Sequence, residues 1–308
     1  MSQPAPPTTA GHTPGPPDTV LDLAVEATNL VKRFGDFTAV DDVSMSVGGG
    51  EVVGLLGANG AGKTTLIRML LGLLRPTRGS VTLFDGPPDQ GRRARLGYVP
   101  QNLGLYRDLT VRENLEFSAG AYGVAVPELP EDLAAHQDTL VGSLPLGAQR
   151  RIAFLVALAH TPDALILDEP TSGVDALSRA RLWDTIRGES DRGTAVLVTT
   201  HYMEEAQECD RLLLMSAGEL VAQGSEADIV GDTTAVQVVT DDWANTFSVL
   251  NDANVPVILS GTSIRVVDTD PARLQQVLDE AGIHASVTTV PATIEEKMLS
   301  LARDSAPA

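Results

Sequence analysis

The sequence predicts an α/β domain with a largely parallel sheet, followed by a smaller α+β domain, and three observations lead to that reading. From Leu21 onward, short β-branched runs such as Glu51-Val-Val-Gly-Leu-Leu56, Ala164-Leu-Ile-Leu167 and Ala195-Val-Leu-Val198 alternate with amphipathic stretches of helical length. A glycine-rich segment, Gly57 to Gly62, joins the strand Val52 to Leu56 to a helix read from Thr65 to Leu74. Past about Gly231 the order changes to strand 235–240, helix 243–253, strand 256–260, a turn at Gly261, strand 264–267, helix 271–281, strand 285–290 and a last helix from about Ile294. That is the βαββαβ, ferredoxin-like order. Thr293 and Glu296 have the T-x-x-E spacing of a capping box, which opens the terminal helix. The expected division is a Pro-rich disordered tail over 1–20, the α/β domain over 21–231 and the accessory domain over 232–308. The tail holds Pro4, Pro6, Pro7, Pro14, Pro16 and Pro17 and too little apolar material to offset the entropy of ordering.

Composition excludes several function classes. The chain has 308 residues, 43% of them hydrophobic, and a formal net charge of −19. A chain this acidic, without a Lys/Arg-rich run, is repelled by phosphate backbones, so no nucleic acid is expected as the main partner. Cys209 is the single cysteine, which leaves no intrachain disulfide and no cysteine-based zinc cluster. The longest uninterrupted apolar run, Ile152 to Ala159, is far short of the ~20 residues that cross a bilayer as a helix. The N-terminus has neither the basic start nor the apolar core of a secretory signal. A cytoplasmic location is therefore expected.

The chemistry is concentrated around the glycine-rich turn. Gly57-Ala58-Asn59-Gly60-Ala61-Gly62-Lys63-Thr64 matches G-x-x-x-x-G-K-[ST], with a strand before it and a helix beginning at Thr65 after it. Glycines let the backbone wrap closely, so that successive N–H groups and a helix N-terminus face the β- and γ-phosphates of a nucleotide. Lys63 adds a positive charge there and Thr64 offers a hydroxyl to Mg²⁺. The apolar strand Ala164 to Leu167 ends in Asp168 and Glu169. Asp168 would hold Mg²⁺ through water and Glu169 would orient or deprotonate the attacking water. This pair selects a P-loop NTPase. An adenylate kinase or a GTPase stays open on these residues alone, although no N-K-x-D guanine-reading sequence is present.

Residues 24 to 230 resemble the nucleotide-binding subunits of ABC transporters, with the motifs in that family's order. By that resemblance Phe34 stacks on adenine, Gln101 in Tyr98-Val-Pro-Gln101 reaches Mg²⁺ and the attacking water, and His201 donates to the γ-phosphate. Asp175 in Ser172-Gly-Val-Asp175 matches a loop at the dimer interface; read without the family it is a helix N-cap. The signature L-S-G-G-Q is represented by Leu144-Pro-Leu-Gly-Ala148, in which only Leu144 and Gly147 match. Pro145 is compatible with a helix start, so that helix could still point at a phosphate, but the serine hydroxyl is absent. L-P-L-G, S-G-V-D and T-T-H-Y-M-E-E-A together are similar to the daunorubicin-resistance-like branch of drug- and antibiotic-export ATPases.

What the resemblance implies is an ATP-hydrolysing subunit that closes as a homodimer on ATP and Mg²⁺. A separate integral-membrane permease would convert the cycle into export of a drug, lipid or antibiotic-like molecule, holding the subunit peripherally on the cytoplasmic face. The helical subdomain, about 102–160, is shortened: between Gly123 and Leu144 there is room for about two helical turns. A soluble ABC ATPase acting on ribosomes or nucleic acid, and a nucleotide-dependent regulator that scarcely hydrolyses, are the alternatives.

Overall fold

The computed structural model describes residues 22–304, except 254, 256 and 268; the tail expected over 1–20 lies outside the described residues. The chain opens with β1 (Leu23–Phe34) and β2 (Phe37–Gly48), then β3 (Val52–Leu56), α1 (Lys63–Leu70), β4 (Arg78–Leu83), α2 (Gln90–Arg93) and β5 (Leu96–Val99). The next stretch is helical: α3 (Val111–Tyr122), α4 (Glu131–Ala134) and α5 (Leu146–Leu158). It is followed by β6 (Ala164–Asp168), α6 (Ala176–Asp191), β7 (Ala195–Thr200), β8 (Arg211–Ser216), β9 (Glu219–Gly224) and α7 (Glu226–Val230). The last part comprises β10 (Thr234–Val239), α8 (Trp243–Asp252), β11 (Val257–Ser260), β12 (Ser263–Val267), α9 (Pro271–Glu280), β13 (Ser286–Pro291) and α10 (Ile294–Asp304).

The central sheet has the order β5-β6-β7-β3-β8-β9, parallel except for β9. Strands β3, β6 and β7 are buried along their whole length, as continuous apolar runs in a sheet covered on both faces must be. Two apolar clusters flank it, one beneath α1 and the antiparallel strands, the other beneath α5 and α6. The antiparallel sheet β2-β1-β4 is a second layer that the α/β alternation did not foretell. The hairpin joining β1 to β2 pairs Phe34 with Phe37. The parallel order puts the C-terminal ends of β3, β6 and β7 side by side, where an open α/β sheet binds its ligands.

Helix α1 begins at Lys63 and stops at Leu70, earlier at both ends than the sequence suggests. Gly72 ends it with φ +67°, and a Cβ there would come within 2.6 Å of Pro88, so the chain turns where only glycine fits. Between Gly123 and Leu144 one turn of α helix, α4, and one 3-10 turn at 141–143 are formed.

In the C-terminal part the strand order is β11-β12-β10-β13, all antiparallel, with α8 and α9 contributing to the apolar core that Val236, Val238, Ile264 and Val266 build from the sheet. This is the ferredoxin-like arrangement. The terminal helix α10 turns back to the first part of the chain: Ile294, Met298 and Leu301 pack with Leu56, Ala206, Leu212, Leu214 and Ile229. Its start is tied at several points. Thr293 N–H donates to Glu296 Oε2 (2.7 Å), Glu296 N–H donates to Thr293 Oγ1 (3.2 Å), and Arg265 on β12 pairs with the same carboxylate.

Burial pushes the Glu296 carboxyl up, but the Arg265 guanidinium and the Thr293 groups outweigh it and hold the carboxyl below its ordinary value of 4.5. A carboxyl whose folded value is depressed contributes stability above the unfolded value and loses it as pH falls through the folded one. The melting-temperature difference between wild type and Glu296→Gln is therefore expected to be full near neutrality and to shrink below about pH 4.5. A difference constant with pH would show that ionisation of Glu296 contributes nothing.

Candidate functional site

The turn between β3 and α1 is shaped by steric limits at its glycines. Gly62 is the N-cap of α1, with φ +102° and no side-chain cap, so the first turn has N–H groups without a side-chain acceptor, the arrangement that suits an anion. A Cβ on Gly62 would lie 2.4 Å from the Ala39 carbonyl, and one on Gly57 2.4 Å from the Met215 carbonyl. Gly60 also has a positive φ, +85°, but open space around it. The Lys63 ammonium, buried except for 5% of the residue's surface, donates to the Gly57 carbonyl (2.6 Å) and the Ala58 carbonyl (3.1 Å). Burial lowers its pKa, and the charges of Glu169 and Asp168 oppose that shift.

The acidic end of β6 comes to the same place. Thr64 Oγ1 donates to Asp168 Oδ2 (3.1 Å), and Thr199 Oγ1, on β7, donates to Asp168 Oδ1 (2.8 Å). The next residue, Glu169, has φ +52°, a sparsely populated conformation for a non-glycine residue and one that clusters at functional sites. Its N–H donates to Thr199 Oγ1 (2.8 Å), and its carboxylate accepts from Gln101 Nε2 (3.0 Å). His201 Nδ1 lies 3.6 Å from the same carboxylate, buried and without a hydrogen-bond partner among the described residues. Its ring packs on Tyr202, with centroids 4.2 Å apart.

A cleft of about 430 Å³ is lined by Phe37, Ala39, Asn59, Gly60, Ala61, Gly62, Lys63, Thr64, Thr65, Gln101 and Glu169; Gly57, Ala58, Asp168, Thr199 and His201 are not among its lining residues. Phe34 does not line it: half exposed, it lies across the hairpin with the Lys32 ammonium 5.1 Å from its ring centre, and Phe37 is the aromatic residue in the cleft wall. Leu144, Gly147 and Asp175 also lie outside this cleft. Leu144 is buried, Pro145 is the N-cap of α5, and Gly147 packs so close to α6 that a Cβ would sit 2.6 Å from Ser178 Oγ. Asp175 caps α6, accepting from Ser178 N–H (2.9 Å) and Ser178 Oγ (2.7 Å), and these bonds hold its carboxyl below the ordinary range.

Two contributors escaped sequence reasoning. Thr199 precedes His201 by two residues in a strand that reads as ordinary β-branched core, and only the pairing of β6 with β7 reveals that its hydroxyl bridges Asp168 and Glu169. Arg150 is 5% exposed on α5, and burial lowers its pKa. It donates through Nη1 to the Glu169 carbonyl (2.9 Å) and through Nη2 to the Ser172 carbonyl (2.6 Å). A signal existed in the Arg150-Arg151 pair opening an otherwise apolar helix. Cys209 is a packing residue whose thiol burial pushes up to about 12, leaving it without reactive thiolate.

Removing the Thr199 hydroxyl at constant shape tests this bridge. Thr199→Val leaves one Asp168 oxygen and the Glu169 N–H without their buried partner, and a loss of about 1–3 kcal/mol is expected for a buried group so orphaned. Urea denaturation measures it, and an unchanged midpoint would contradict it.

A phosphate cradle at the start of α1, with two carboxylates at the end of a neighbouring parallel strand, defines a P-loop ATPase cassette. The chain belongs to the ATP-binding proteins of ABC transporters. A family model described as ABC transporter matches residues 40–172. Nod factor export ATP-binding protein I of Paraburkholderia xenovorans (strain LB400) is 37% identical over 301 residues, 91% of this chain and 97% of that protein. The probable multidrug ABC transporter ATP-binding protein YbhF of Escherichia coli (strain K12) is 42% identical over 220 residues; the match covers 68% of this chain and 38% of the length of that relative. Among solved structures, an ATP-binding subunit of an ABC transporter superposes with a TM-score of 0.62 at 28% identity, over 67% of this chain and 91% of the other.

Proposed function

We propose that this chain is the ATP-hydrolysing subunit of an exporter, working as a homodimer on a separate membrane permease. The observation that carries the reading is the hydrogen-bonded network Thr64–Asp168–Thr199–Glu169–Gln101, of which Thr64, Glu169 and Gln101 line one cleft with Lys63. The similarity to export proteins over almost the whole chain supports the transport role. Among the described residues no helix is long and apolar enough to cross a membrane, so the path for a cargo is assigned to a partner.

The residues fit a Mg²⁺-bound nucleotide. Thr64 and Asp168 present hard oxygen donors 3.1 Å apart, and among the described residues no cluster of three or more His, Cys, Asp or Glu could hold a metal. That is the pattern of Mg²⁺ held by one or two protein oxygens with phosphates and water. Thr64, Asp168 and Gln101 are the groups assigned to the ion, which when bound neutralises charge developing on the phosphates. The other steps belong to the chain itself. The α1 N-terminus and Lys63 bind the phosphates. Glu169, aimed by Gln101 and Thr199, accepts a proton from the attacking water, and His201, whose Nδ1 lies 3.6 Å from the Glu169 carboxylate, is assigned as a donor to the γ-phosphate.

Leu144, Gly147 and Asp175, set apart from the cleft, are assigned to the site of the second copy in the dimer. Phe37, and not Phe34 alone, is assigned to the base. The permease is assigned to the helical layer, where Tyr106 and Phe117 meet edge to face at 5.0 Å and both are more than half exposed. The accessory role of the segment 232–308 is to brace the segment that follows His201, at Ala206, through α10.

Phosphate release from Mg-ATP across a range of protein concentrations tests the reading. A rate rising faster than linearly is expected for a site completed by a second copy. A linear rate would indicate a monomeric NTPase, and bound ATP without turnover, even with the permease present, would indicate the regulator that Pro145 and the shortened helical layer favour.

A further inference from the structure

The segment carrying Glu169 is fastened to α5 as well as to the sheet. Arg150, one turn into that helix, donates to the carbonyls of Glu169 (2.9 Å) and Ser172 (2.6 Å). The N–H of Glu169 is held from the opposite side by Thr199. Both peptide groups flanking the left-handed Glu169 Cα are therefore pinned, and the direction of its carboxylate is set by backbone that cannot relax alone.

The same junction is interlocked sterically. A Cβ on Gly147 would meet Ser178 Oγ at 2.6 Å, and one on Gly173 would meet Leu146 Cδ2 at 3.2 Å. The first turn of α5 and the run from Glu169 to Ser178 thus form one packed unit, and packed units shift between discrete arrangements instead of deforming smoothly. A buried guanidinium is costly without acceptors. Its planar fork can span two carbonyls, which a lysine ammonium, a compact point charge, matches poorly.

We propose that Arg150 is a positioning residue that sets the aim of Glu169 from the helix whose start faces the nucleotide of the second copy, so that filling one site of the dimer readies the carboxylate of the other. This rests on the dimer reading given above. Arg150 does not line the nucleotide cleft, so its loss is expected in turnover and cooperativity and not in nucleotide affinity.

The experiment uses the full chain as wild type, Arg150→Gln and Arg150→Lys. Phosphate release is followed against Mg-ATP concentration, Mg-ATP affinity is measured by displacement of a fluorescent ATP analogue on dilute protein, and thermal midpoints report folding. For Arg150→Gln, kcat is expected to fall about 10- to 100-fold, as small misplacements of reacting groups do, with affinity within a factor of about two and the Hill coefficient moving toward one. Arg150→Lys, which keeps the charge, is expected to restore only part of kcat. Wild-type kcat and Hill coefficient in either variant would overturn the proposal, as would a kcat loss no larger than the loss of folded protein. If Arg150→Gln does not fold, Arg150→Lys decides by the same criteria. A wild-type rate linear in protein, with a Hill coefficient of one, would instead overturn the dimer reading and the cross-site part with it, while a kcat loss in Arg150→Gln would still uphold the aiming of Glu169.

Discussion

Glu169→Gln is expected to bind Mg-ATP as wild type does and to hydrolyse it about 10²- to 10⁴-fold more slowly, the usual contribution of a positioned general base. The substitution is close to isosteric, and the glutamine oxygen can still accept from Gln101 Nε2, which now lies 3.0 Å from the carboxylate. The backbone bonds from Thr199 and Arg150 do not involve the side chain at all. What is lost is basicity, so the change appears in kcat with little movement in affinity. ATP that is bound and not cleaved should also hold the dimer closed, visible as a shift to the dimer position in size-exclusion chromatography with Mg-ATP. Hydrolysis at the wild-type rate would remove Glu169 from the chemistry.

Gly62→Ala is expected to abolish ATP binding, and Gly60→Ala is expected to do much less. Both glycines have positive φ, +102° and +85°, so each substitution carries a backbone cost of roughly 1–2 kcal/mol. They differ in space: the new Cβ at position 62 lies 2.4 Å from the Ala39 carbonyl and 2.9 Å from Met215 Cε, whereas at position 60 nothing lies within 4 Å. Neither the carbonyl nor the N-cap can give way without moving the first turn of α1, and overpacking of that kind costs a further ~1–3 kcal/mol. The N–H groups and Lys63 would then no longer converge on one phosphate. Titration of both variants with Mg-ATP decides it; equal affinities would mean that the close approach to Ala39 does not shape the cradle.

Much of this was legible in the chain itself because it is written locally. A strand, a glycine-rich turn and a helix are contiguous from Val52 to Leu70, and the turn glycines mark places where the backbone needs a positive φ, at Gly60 and Gly62, or a close approach, at Gly57. The apolar run ending in Asp168-Glu169 and the strand before His201 are equally self-contained, as is the alternation of strand and helix that makes the sheet parallel. The βαββαβ order after Gly231 and the T-x-x-E cap at Thr293 are read over short spans for the same reason.

What the sequence does not carry is the meeting of distant segments. Thr199 is 31 residues from Asp168, yet its hydroxyl bridges that carboxylate to Glu169, because β6 and β7 are neighbours. Arg150 reaches Glu169 and Ser172 only once α5 is packed on the end of β6. Phe37, the partner of Phe34 across the hairpin, lines the cleft and Phe34 does not, a placement that sequence spacing does not show. α10 closes on Leu56, more than two hundred residues back, and on Ala206, some ninety residues back, by the burial of Ile294 and Met298. Hydrogen-bond direction and steric closeness are properties of space, and hydrophobic periodicity states that a face will be buried without naming what will bury it. The chain alone therefore determined the phosphate cradle, the acidic strand end and the class of fold, while packing chose the side chains that hold them in register.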